Sequence, residues 1–93
     1  MRRLLLRSPA YLRDLRTWLK SHPETAADLQ ATLEQLSANA AHPSLRTHKL
    51  RGNLADCWSC SAGYDLRVVF EYVHHQGAEA ILLLAIGTHD QVY

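Results

Sequence analysis

Five side chains of this sequence have types suited to proton transfer around an anionic group: His48, Asp65, Arg67, His89 and Tyr93. An imidazole, with an ordinary pKa near ~6.5, gives or takes a proton at neutral pH. A guanidinium stabilises charge that develops on a phosphate, and an aromatic ring stacks on a nucleobase. The residues fall in three segments: His48-Lys49-Leu50-Arg51-Gly52, Tyr64-Asp65-Leu66-Arg67, and Gly87-Thr88-His89-Asp90-Gln91-Val92-Tyr93. Plainer roles exist for each. His22 and His42 adjoin prolines and suit helix ends or loops, while His74 and His75 suit a hairpin tip. Asp65 and Arg67 equally suit a surface salt bridge, and Tyr93 equally suits packing. A metal site from His48, Asp65 and His89 lacks any recognisable ligand spacing, so no metal and no cofactor is expected.

The chain has 93 residues, 47% hydrophobic and 20% charged, which predicts one ordinary globular domain over residues 1–93. The net charge is only +1, yet six of the ten basic residues (Arg2, Arg3, Arg7, Arg13, Arg16, Lys20) precede position 21. Arg46, Lys49 and Arg51 cluster again around His48. Such patches suit an anionic partner as well as a solvated helix face. The opening Leu4-Leu5-Leu6 is too short for a signal peptide, and no run is long enough to span a membrane, so a cytoplasmic location is expected. Cys57-Trp58-Ser59-Cys60 reads as two free, partly buried thiols, because an odd separation on a strand sends them to opposite faces.

The elements that must position these residues follow from punctuation and period. Arg2 to Arg7 is a strand candidate. Ser8-Pro9 opens a helix whose buried face is expected at Leu12, Leu15 and Leu19. Ser21 and Glu24 form a possible capping box for a second helix carrying Leu29, Leu33 and Leu36, closed at Ala41-His42-Pro43-Ser44. The period then changes, giving strands at Trp58 to Ala62, Tyr64 to Val73 and Glu79 to Gly87. Tyr64, Leu66, Val68, Phe70 and Tyr72 share one face of the middle strand. The last strand is apolar on both faces and should lie centrally. A three-residue loop, Ala62 to Tyr64, predicts Ser61 opposite Asp65 and Ser59 opposite Arg67, gathering these four on a polar face.

This order of elements with the three segments resembles the RelE/ParE superfamily, most nearly its YafQ-like and plasmid-stabilisation toxins, over essentially the whole chain. The resemblance implies an α+β fold with an N-terminal strand, a two-helix hairpin and a three-stranded antiparallel meander, the helices on one sheet face. It also implies a toxin held inactive by a cognate antitoxin, an endoribonuclease that cuts messenger RNA in the ribosomal decoding site. His48, Asp65, His89 and Tyr93 match catalytic or substrate-binding positions, and Arg67 matches an arginine common on this strand. Arg46, Lys49, Arg51 and Ser61 join Tyr93 as expected RNA contacts. Those toxins often carry a second histidine where Ser61 stands and a basic residue where Ala85 stands. The alternatives are a ParE-like inhibitor that binds gyrase without catalysis, and a degenerate toxin that only binds its antitoxin. The segments do not assign acid and base individually.

Overall fold

The computed structural model describes residues 2–63 and 65–93. In chain order the elements are β1 (Leu4–Arg7), α1 (Pro9–Ser21), α2 (Ala26–Ala38), β2 (His48–Lys49), β3 (Trp58–Ser61), β4 (Leu66–His75), β5 (Ala78–Thr88) and α3 (His89–Val92). The strands form one sheet in the order β1-β5-β4-β3-β2, with β1 parallel to β5 and the other pairs antiparallel. Central placement of the apolar last strand is thus as expected. The strand β2 was not anticipated, since two residues carry no readable period. His48 sits on this edge strand.

Ser8 caps α1 as its sequence predicts, its hydroxyl accepting the Tyr11 N–H at 3.0 Å, with Pro9 in the first turn. The buried stripe differs from expectation. Tyr11, Leu15 and Trp18 face the core, whereas Leu12 is 42% exposed. Both stripes have helical spacing, and the helix is rotated so that the two larger aromatic surfaces are covered. Nor does the Ser21–Glu24 capping box form. Ser21 is still helical, and His22 ends α1 with its backbone N–H on the Trp18 carbonyl and its ring stacked 4.0 Å from the indole. The indole Nε1–H donates to Thr25 at 2.9 Å, so a short turn at Pro23–Thr25 leads into α2. Leu29, Leu33 and Leu36 of α2 then close over the sheet as expected.

The helix-bearing face of the sheet presents Cys60, Leu66, Val68, Phe70, Ile81, Leu83 and Ile86 to Tyr11, Leu29 and Leu36. Leu66, Val68, Phe70 and Tyr72 share this side as predicted, while Tyr64 lies outside the described residues. The first hairpin is offset from its expected register: Ser61 pairs with Arg67 and Ser59 with Val69. Its turn begins one residue later, because Ala62 is buried and its N–H bonds the Leu66 carbonyl at 2.9 Å. The offset is two residues in pairing, so every side chain keeps its predicted face. His74 and His75 end β4 rather than forming the tip, which is Gln76-Gly77 with φ of 51° and 80°. A bulge shifts the β4–β5 register, Val69 pairing with Ala85 but Phe70 with Leu83.

After β5 the chain turns at once into α3. Thr88 and Gln91 form a capping box: the Thr88 hydroxyl accepts the Gln91 N–H, and the Gln91 side chain accepts the Thr88 N–H at 2.9 Å. Gly87 lets this turn lie against the strand, since a Cβ there would meet Gln91 Oε1 at 2.8 Å and Gln91 Cβ at 3.1 Å. Gly87→Ala should therefore loosen α3 while sparing the sheet, read as faster amide exchange at residues 91–93 with β4 and β5 unchanged.

Cys57 and Cys60 are free thiols, half-buried and buried respectively. Burial pushes the Cys60 thiol from an ordinary 9.0 up to about 12, with Arg67 opposing it weakly. Between those values the unfolded chain loses this proton and the folded chain keeps it, so stability falls as pH rises. Denaturant midpoints should hold up to about pH 9 and decline above it, and Cys60 should resist alkylation at neutral pH until the protein unfolds.

Candidate active site

Residues directly opposite across antiparallel strands point to the same face. The pairs His48 with Ser59, Ser59 with Val69, and Val69 with Ala85 therefore form one row across the side of the sheet away from the core helices. Ser61, Arg67 and Gly87 form the next row. α3 folds over these rows and lays the Tyr93 ring on them.

Tyr93 stands between the two imidazoles. Its centroid is 4.5 Å from that of His89 and 6.3 Å from that of His48, each ring meeting it edge-on. One helical turn separates His89 from Tyr93, which places both on one side as the spacing predicts. The Tyr93 hydroxyl donates to Ser59 Oγ and also lies 3.5 Å from His48 Nε2. Ser59 is fully buried, while Tyr93 remains 41% exposed. The phenol thus has its tip in the sheet and an open ring edge toward solvent.

The protonation pattern of His48 follows from its other nitrogen. Nδ1 lies 3.0 Å from the Arg46 carbonyl, which can only accept, so Nδ1 carries the hydrogen. In the neutral ring Nε2 then holds the lone pair, and it faces Tyr93. Arg46 adopts left-handed φ and ψ of 51° and 40° at the end of a short turn, which brings its carbonyl within reach of the His48 ring. His89 Nδ1 lies 3.4 Å from the Asp90 carboxylate on the exposed side of α3. The partly buried Arg67 donates from Nη1 to the Leu66 carbonyl at 3.1 Å.

Of the residues singled out in the sequence, His48, Ser61, Arg67, His89 and Tyr93 share this face. Arg46 and Arg51 are exposed at its β2 margin, and Asp65 is exposed in the bend beyond the Ser61–Arg67 pair. Lys49 does not join them: it pairs opposite Trp58, which packs against the core, so alternation turns it toward the helix side. Among the N-terminal cations, Arg3 pairs with Glu79 at 2.6 Å and lies over Tyr72 at 5.4 Å. Ser59 was placed on the polar face by its period but not assigned a role. Its alternation with Cys60 was the available signal; the Tyr93 contact, made across 34 positions, was not.

Among the described residues no cluster of three His, Cys, Asp or Glu side chains is arranged to hold a metal ion. Cavities of about 430 and 450 Å³ lie beside α1, against β5 and α3 in one case and α2 in the other. The His48–Tyr93 surface is open by comparison. No helix among the described residues is long and apolar enough to cross a membrane.

Solved structures of similar fold include YafQ from E. coli, with 14% identity, a TM-score of 0.79 and coverage of 98% of each chain. The E. coli DinJ–YafQ toxin–antitoxin complex matches with 15% identity and a TM-score of 0.77, covering 100% of this chain and 99% of that one. A YoeB/ParE toxin from Agrobacterium tumefaciens matches with 13% identity and a TM-score of 0.75, covering 92% and 98%. No curated protein matches in sequence. The family described as the YafQ bacterial toxin of type II toxin–antitoxin systems matches residues 4–93. With the sheet order, the helical hairpin and the His–Tyr–His surface already in place, that match over nearly every residue shows that the chain belongs to the YafQ family of type II toxins.

Proposed function

We propose that this toxin is an endoribonuclease that cleaves messenger RNA by metal-independent acid–base chemistry, in the cytoplasm and on the ribosome. The observation that carries this reading is the Tyr93 ring held between His48 and His89 on an open sheet face. RNA supplies its own nucleophile, so the protein must remove the 2′-hydroxyl proton, protonate the departing 5′-oxygen and stabilise the phosphorane charge. One imidazole takes the first proton as the 2′-oxygen bonds to phosphorus. The other gives a proton as the bond from phosphorus to the 5′-oxygen breaks, leaving a 2′,3′-cyclic phosphate. His48, with its lone pair on Nε2, suits the base role, and the exposed His89 suits the acid role. Arg67 faces the same side and suits the developing charge. Tyr93 offers a ring for a base to stack on, with Ser61, Arg46 and Arg51 along the path of the strand. Asp65 stands at the end of that path, able to orient a ribose or an imidazole. The whole chain serves as a single toxin domain.

We further read a cognate antitoxin as the partner that covers this face, a reading supported by the solved DinJ–YafQ complex of the same fold. A partner that neutralises Arg46, Arg51 and Arg67 would block the path of the RNA backbone.

His48→Ala and His89→Ala should each lower single-turnover cleavage of ribosome-bound messenger by about 10²–10⁴. Antitoxin binding should persist, chelators should have no effect, and the products should carry cyclic phosphate ends. Near wild-type cleavage by His89→Ala overturns the mechanism. A wild-type protein that cleaves no RNA but inhibits gyrase, or that does neither and only binds its antitoxin, overturns the proposed activity.

A further inference from the structure

We infer that Thr47 is a positioning residue: its hydroxyl, tied to the Ala40 carbonyl, holds the Arg46–Thr47 peptide in the orientation that fixes the tautomer of His48. The catalytic consequence rests on the RNA-cleavage reading above, whereas the tautomer is observable without RNA. The bond that places the hydrogen on His48 Nδ1 ends on the Arg46 carbonyl, 3.0 Å away. That carbonyl is no side chain free to search for its donor. It lies in the planar unit joining Arg46 to Thr47, so it turns only when the whole plane turns.

The plane is held from both ends. Before it, Leu45 is buried in the core, and the Arg46 N–H closes a short turn on the Pro43 carbonyl at 3.2 Å. Arg46 itself takes φ and ψ of 51° and 40°, left-handed values that a residue with a Cβ disfavours, and its side chain is exposed. After it, Thr47 donates its hydroxyl to the Ala40 carbonyl at 2.7 Å, across seven positions. A carbonyl only accepts, so the direction of this bond is fixed, as is that of the His48 bond. Ala40 is buried, so the clasp pulls against the body of the fold. Without it Arg46 is released from the left-handed region, and the carbonyl swings away from Nδ1. A neutral imidazole that has lost this acceptor takes up both tautomers. The fraction with a hydrogen on Nε2 has no lone pair there for the 2′-hydroxyl proton. Thr47 thus acts through His48 and not on the RNA.

The test reads the ¹⁵N resonances of both His48 ring nitrogens in the ligand-free toxin at about pH 8, above the ordinary imidazole range. The wild type and Thr47→Ser, which keeps the hydroxyl, should show a protonated Nδ1 and an unprotonated Nε2. In Thr47→Val, which keeps the shape and loses the hydroxyl, the two resonances should converge. Cleavage should slow roughly 2- to 10-fold, the weight of one hydrogen bond. Introduced into His48→Ala, Thr47→Val should cost nothing further, whereas a merely structural role would slow both backgrounds alike. Thr47→Ala replaces Thr47→Val if the latter does not fold. The inference is overturned if a folded variant without the hydroxyl keeps the separated resonances, or if the wild type or Thr47→Ser shows converged ones. It is equally overturned if Thr47→Val slows His48→Ala as much as it slows the wild type, or if neither variant without the hydroxyl folds, which would make Thr47 structural. A wild-type toxin that cleaves no RNA would sink the proposed function and leave the resonance arm intact.

Discussion

Burial of the core face of β5, with both of its edges bonded, is the constraint on which the molecule depends. Ile81, Leu83 and Ile86 need the helical hairpin above them, and the strand is bonded to β4 on one side and β1 on the other. β1 covers only Ala80 to Leu83. Beyond it the start of α1 takes over the edge: the Ser8 N–H and hydroxyl reach the Leu83 and Leu84 carbonyls, and the Ile86 N–H points at the Asp14 carboxylate, 3.5 Å away. An open edge in the middle of the fold is thereby closed by Ser8, through backbone and side chain, and by Asp14 instead of another strand. Because α3 continues directly from β5, whatever fixes the strand also fixes His89 and Tyr93.

The site this produces is a surface and not a pocket. Its floor is unusually dry for a polar face: Ser59 and Val69 are buried beneath Tyr93, while the imidazoles above them reach solvent. That arrangement suits a polymer laid across the strands better than a small molecule enclosed on all sides. It also gives the two histidines different surroundings. His48 is tied through the backbone of Arg46 to the sheet edge, and His89 rides on a single helical turn with Asp90. One imidazole is held rigidly by its partner, and the other is placed by a turn whose seat depends on Gly87.

The parts legible in the sequence were those written in periods. Alternation from Leu66 to Tyr72 marked the core face of β4, the doubly apolar run marked β5 as central, and Ser8-Pro9 marked the start of α1. What escaped has physical reasons. The choice between the Leu12 and Tyr11 stripes is made by tertiary packing, since both have helical spacing. The capping box at Ser21 lost to a Trp18–His22–Thr25 arrangement that no single spacing encodes. Two residues of β2 are too few to show alternation, and the Leu84 bulge leaves no composition signal. Within the site, histidines, arginine and tyrosine were visible as types and faces. Lys49 was misjudged because a two-residue strand shows no alternation from which its face could be read.

The parallel pairing of Leu4 with Ala80 joins positions 76 apart, so the sheet's outer strand waits for its partner through most of synthesis. Closing a loop of that length costs roughly 4 kcal/mol of chain entropy before any contact rewards it. Until β5 is made, β1 has no strand to join, β4 has one bare edge, and the helical hairpin has only half a floor to pack on. Pairings this distant in sequence are the kind that slow folding. The same late step brings His89 and Tyr93 to His48. The surface that carries His48, His89 and Tyr93 is therefore complete only when β5 and α3 have joined the sheet.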